Sequence, residues 1–249
     1  MKAIKLMTFA VLSMMILSCG EDDKPKDVNV KLEMVVDDES LSTGTTYNIN
    51  DTDIQFTNVA FYLGKMSFET STGATFTNQG DDQYQLIEPG VYDYNFSIPV
   101  DEDGGDVSLD KVSFIIGVDA ETNDLSEDIF DARPESDPLS AQDPSMHWGW
   151  MGQYKFLNID GNADLDGDGT FETPLTYHIG RNIYLGNITL SPDEELEGGA
   201  NDFRIEVDLA ELLDDVDFAT QNFTKAGPDQ ADLTNTIVGN YDDAIEFEK

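Results

Sequence analysis

The segment VNVKLEMVV, residues 28–36, sets Val28, Val30, Leu32, Met34 and Val36 at alternate positions against Asn29, Lys31 and Glu33. Successive side chains of a strand point to opposite faces, so this spacing describes a half-buried β-strand. The same period returns at Tyr92, Tyr94, Phe96 and Ile98, at Val112, Phe114, Ile116 and Val118, and at Phe203, Ile205, Val207 and Leu209. IQFTNVAFYLGKMSF (54–68) reads as one long strand or two, with β-branched and aromatic residues on both faces. QYKFLNI (153–159) and NIYLGNITL (182–190) complete the set, separated by turn clusters such as SLSTGTT, NQGDD, DEDGGD and EGGAND. Only AELLDDV (210–216) and LSEDIF (125–130) read as short helices. Without a βαβ rhythm, this pattern predicts an all-β fold, a β-sandwich of mainly antiparallel strands with short helical inserts.

Residues 1–18, MKAIKLMTFAVLSMMILS, read as an export signal: two lysines, then an apolar run too short to span a bilayer as a helix. Ile16-Leu17-Ser18-Cys19 resembles a bacterial lipobox, in which Cys19 becomes the lipidated first residue. Residues 19–27 then form a polar tether, and residues 28–249 a single domain. The acidic residues after Cys19 resemble the surface-export signal of Bacteroidetes-type lipoproteins. The expected location is the outer membrane, at the cell surface, with the lipid as membrane contact. Cys19 is the only cysteine, so the exported body has neither disulfide nor thiolate metal site. A formal charge of −38, from 51 acidic residues against 13 basic, excludes nucleic acid as a partner.

Chemistry concentrates in PSMHWGWMGQYKFLNIDG (144–161), where Met146, His147, Trp148, Trp150 and Met151 fall within six residues. The second of the two histidines, His178, follows in TYHIGRN and is expected to face the tryptophan segment across the sandwich. Imidazole is the commonest metal ligand among side chains, and thioether suits soft ions such as Cu(I). Aromatic clusters are more often core than ligand shell, so on composition both readings stand.

A second constellation lies in NIDGNADLDGDGTFE (158–172). Asp164, Asp166 and Asp168 alternate ahead of Gly169, the oxygen-ligand spacing of a calcium loop. Glu172, Asp160 and Asn162 are candidates to complete the coordination. The twelfth position is Leu175 and no helices flank the loop, so it is not an EF-hand. Ca2+ here would fix the connection between the tryptophan strand and the His178 strand.

DPSMHWGW (143–150), then YKFL, DG and HIG (178–180), resembles the MbnP-like family of copper-associated exported proteins. So do FTNVAFYLGKMSF with YQLIEPG (56–68, 84–90), FIIGVDAETND (114–124) and DPL (137–139), a likeness spanning roughly residues 28–210. The resemblance implies Cu(I) held by two histidine nitrogens beside an oxidised tryptophan, kynurenine. His178 matches the family's H-x-G histidine, and Trp148 and Trp150 its tryptophan pair. His147 stands where the family often has another residue. Gln153 replaces a usual glycine, and Asp160 a usual glutamate.

The functional expectation is a lipid-anchored copper-binding protein, not an enzyme, that scavenges or hands over Cu(I). Its expected partner is an outer-membrane transporter or a copper carrier. The ligands would be His147 and His178, with Trp148, Trp150 and Met146 adjoining. One alternative is a surface glycan- or protein-binding module with exposed tryptophans, and another is a redox enzyme with copper turning over at the same site. Nucleophile elbows, H-E-x-x-H and phosphate loops are absent from the sequence.

Overall fold

The computed structural model describes residues 24–77, 84–99, 106–149 and 153–249. Cys19, the export signal, Trp150 and Met151 therefore lie outside the described residues. The first half is built of strands: β1 (Lys26–Val36), β2 (Glu39–Ser40), β3 (Thr46–Ile49), β4 (Thr52–Thr70), β5 (Thr75–Thr77), β6 (Tyr84–Ile87), β7 (Val91–Ile98) and β8 (Val107–Ile116). Helices α1 (Ala120–Asn123) and α2 (Glu127–Asp131) follow, then β9 (His147–Trp148), β10 (Gln153–Asp164), β11 (Thr173–Gly180), β12 (Gly186–Leu190), β13 (Glu194–Leu196) and β14 (Gly199–Asp208). The chain ends with α3 (Leu209–Leu212), β15 (Phe223–Thr224), α4 (Ala231–Gly239), α5 (Tyr241–Ala244) and β16 (Ile245–Glu248). Among the described residues no helix is long and apolar enough to cross a membrane.

The strands form two sheets. The smaller runs β16-β14-β1-β2, with β7 also paired to β1. The larger runs β12-β8-β4-β10-β11-β15, with β3, β5, β6, β9 and β13 attached. Most pairings are antiparallel, while β1–β14 and β11–β15 are parallel. The alternating residues Val28, Val30, Leu32, Met34 and Val36 all enter the main core with Phe203, Ile205 and Val207, as the period-two reading requires. Two hairpins turn on pairs of residues with positive φ, Asp37-Asp38 and Asn50-Asp51. Asn and Asp tolerate that conformation best after glycine, and both central residues need it in a twist-matched two-residue turn.

Strand β4 explains the two-sided apolar run. Its pairing slips once against β10, between Asn58 and Phe56, and twice against β8: between Gly64 and Ser67, where Lys65 takes φ 56°, and between Glu69 and Thr70, where the extra residue is Asp110 on β8. Each extra residue is a β-bulge that switches which parity faces inward. Ile54 and Phe56, then Val59, Phe61 and Leu63, then Met66 and Phe68 therefore all reach the main core. Ala60 and Tyr62 point the other way, into a second cluster with Tyr84, Val118, Leu139, Met146, Tyr154 and Phe156. The excursion from residue 119 to residue 146, through Phe130 and Leu139, roofs that outer face. Asp119 anchors its start, accepting from the Thr122 amide (3.1 Å) and the Tyr84 hydroxyl and pairing with Lys65 at 2.9 Å.

Two local readings change. NIYLGNITL is not one strand: Asn182–Tyr184 is a 3-10 turn entered through Arg181 at φ 73°, and the strand begins at Gly186. The nine-residue helix α4 gives little sequence signal. Its buried face is only Leu233, Thr234 and Ile237, and Pro228 precedes it.

Candidate metal centre

Strand β10 carries the site because both of its faces are covered. Leu157 and Ile159 enter the main core, while Tyr154 and Phe156 enter the outer cluster. Continuing that outward parity, Asn158 stands opposite His178 on β11 and Ala60 on β4, and Asp160 opposite Thr176 and Asn58. His178 Nε2 lies 2.9 Å from Asp160 Oδ1. A carboxylate only accepts, so a neutral imidazole there carries its proton on Nε2 and its lone pair on Nδ1. Loss of water would raise the Asp160 carboxyl, but the hydrogen bond from His178 and nearby Lys155 outweigh it and hold the group below its usual range. Burial pushes the Lys155 ammonium down, and its Nζ donates to the Ser145 carbonyl at 2.6 Å.

Strand β9 pairs antiparallel with the start of β10, His147 opposite Tyr154 and Trp148 opposite Gln153. The His147 ring stacks on Phe130, with centroids 3.8 Å apart and planes 10° apart, and meets Tyr154 edge-on at 5.0 Å. Met146 is buried in the roof, its carbonyl accepting from the Lys155 amide at 2.8 Å. Trp148 is 5% exposed and packs into the main core. That burial leaves no Trp148 face for stacking on a sugar, contrary to the binding-module alternative.

The two histidines do not face each other across the sandwich, because both attach to β10. Their partners on that strand, Tyr154 and Asn158, are four residues apart, roughly 13 Å of strand rise. Trp148 bridges part of that interval and reaches Gly180 at the end of β11.

Among the described residues, several buried polar atoms here have no hydrogen-bond partner: His178 Nδ1, both side-chain polar atoms of Asn158, Asn58 Nδ2, the Tyr62 hydroxyl and Trp148 Nε1. Asn158 is 1% exposed and the His178 side chain 11%. Unmet groups of this kind cost about 1–3 kcal/mol each, and an ion or ordered water is the usual compensation. A buried imidazole lone pair of this kind is a donor that fits Cu(I).

The acidic loop is separate. Ligand oxygens of Asp164, Asp166 and Asp168 lie within 4.8 Å of one another. Buried Asp164 organises the turn: its carboxylate accepts from the amides of Gly167 (2.8 Å), Asp168 (3.3 Å) and Gly169 (2.7 Å), while both glycines take positive φ. Burial works to raise that carboxyl, and the three amides hold it below the usual range. Asp166 and Asp168 are exposed. Of the other candidates, Glu172 is exposed, Asn162 is half-buried opposite Pro174, and Asp160 is turned to His178.

The Asp160–His178 pair, the Asn158 amide and the Phe130–His147 stack were missed by sequence reasoning. The spacing of Asn158 and Asp160 on one face of a strand was the available signal.

A family model described as MbnP matches residues 25–230. The solved structure of MbnP from Methylosinus trichosporium matches with a TM-score of 0.57, covering 90% of this chain and 99% of that chain at 15% identity. At that identity the likeness shows the fold alone. No curated protein matches the chain.

Proposed function

The chain belongs to the MbnP family, and from that premise we propose that it is an exported copper-binding protein that holds Cu(I) through His178. The observation that carries this reading is the buried Nδ1 of His178, without a hydrogen-bond partner among the described residues while Nε2 is engaged by Asp160. For His147 to supply the second imidazole, its ring must leave the Phe130 stack and reach toward His178 across roughly 13 Å of strand when copper binds; Met146 and Trp148 flank it in the chain. Cu(I) prefers few, soft or nitrogen donors, which suits this shell and disfavours water as a ligand. The aromatic roof would keep the ion from oxidants, as storage or hand-over requires.

The protein is not an enzyme in this reading. It is lipidated at Cys19 and held at the outer membrane, facing the cell surface. There it exchanges copper with a carrier or an outer-membrane transporter. The loop of Asp164, Asp166 and Asp168 binds Ca2+ in a structural role, bracing the β10–β11 connection on which His178 depends. Metal analysis of protein purified without added metal tests the copper assignment. Near-stoichiometric copper in the wild type and none in a His147→Ala/His178→Ala variant supports it. A wild type that takes up no Cu(I) under reducing conditions contradicts it.

A further inference from the structure

Cross-strand geometry separates two outward residues of β10 by function. Asn158 is directly opposite His178, whereas Asp160 lies one pleat further along the same face. Diagonal neighbours of this kind are within reach of long or aromatic side chains, and the imidazole spans the gap to Asp160 Oδ1 at 2.9 Å. The opposite ring nitrogen is then directed away from the carboxylate. Like both polar atoms of the Asn158 side chain on the residue directly opposite, it is buried without a hydrogen-bond partner among the described residues.

We propose that Asp160 is a positioning residue for the metal: it fixes His178 in the Nε2–H tautomer and presents Nδ1 as the copper-binding atom. This rests on the copper reading above. The alternative tautomer would set a lone pair against the carboxylate oxygen, so the carboxylate selects the ligating atom as well as the ring orientation. Outer partners of ligating histidines commonly act this way, and their loss costs about 10–100-fold in metal affinity.

The test compares wild type, Asp160→Ala, Asp160→Asn and His178→Ala. Cu(I) affinity is read by competition with a chromogenic chelator, and the His178 tautomer from imidazole nitrogen shifts in the metal-free protein. The wild type should show an unprotonated Nδ1, and Asp160→Ala should mix the tautomers and lose about 10–100-fold in affinity. Asp160→Asn, which still offers an accepting oxygen, should keep the tautomer and recover most of the affinity. That rescue would not follow if Asp160 merely held the fold. The proposal is overturned if Nδ1 carries the proton in the wild type, or if folded Asp160→Ala binds Cu(I) as tightly as wild type. If wild type and His178→Ala alike take up no Cu(I), the copper reading itself has failed. The tautomer measurement, made without metal, distinguishes that failure from an error in the role of Asp160.

Discussion

A methyl group built on Gly180 would lie 2.6 Å from the Trp148 ring and 2.5 Å from the Tyr154 carbonyl oxygen. This contact locks the tryptophan segment to the end of the His178 strand. Gly180→Ala should therefore destabilise the protein by about 1–3 kcal/mol, as overpacking does in a close-packed core. It should also shift Trp148 fluorescence. Gly149→Ala, where a methyl meets nothing within 4 Å, serves as the control and should leave urea unfolding within about 0.5 kcal/mol of wild type.

Asp119 ties the roof to the sheet and gives it a pH dependence. Loss of water would raise its carboxyl, but the Tyr84 hydroxyl, Lys65 and the Thr122 amide outweigh that and lower it from 3.8 to about 2. A depressed carboxylate stabilises the fold fully above its unfolded value, and the contribution fades as pH falls from about 4 towards 2. With Lys65 half-exposed and screened, it is worth about 1–2 kcal/mol. Asp119→Asn should lower Tm at pH 7, and the gap from wild type should close by pH 2. A gap independent of pH would contradict the assignment.

Calcium should stabilise the wild type. At a concentration one hundred times Kd, a site present only in the folded state adds about 2.7 kcal/mol, or roughly 5–10 °C in Tm for a chain of this size. An Asp166→Ala/Asp168→Ala variant should fold yet lose the response, since both side chains are exposed. Asp164→Ala is a poorer test, because it strips the loop amides of their acceptor. Equal calcium shifts in variant and wild type would rule the loop out.

The strands with one wet face were legible because alternation in VNVKLEMVV or FRIEVDL is a direct print of the pleat. Strand β4 was not, because its bulges at Asn58/Phe56 and at Lys65 reset the alternation twice. The three clustered aspartates were visible as local spacing, which a loop preserves. The Asp160–His178 bond was not: the residues are 18 apart, and their meeting depends on the register of β10 against β11. A local pattern does not encode which residue ends up opposite which. The same register, together with β9 pairing to β10, moved His178 from across the sandwich to a neighbouring strand.

The copper site is tested most directly by titrating wild type, His147→Ala and His178→Ala with Cu(I) under reducing conditions against a competing chelator. The wild type should take up Cu(I) tightly and near-stoichiometrically, His178→Ala should lose that uptake, and His147→Ala, whose ring is held by Phe130 and Tyr154, should lose less. Undiminished uptake by His178→Ala would contradict this assignment.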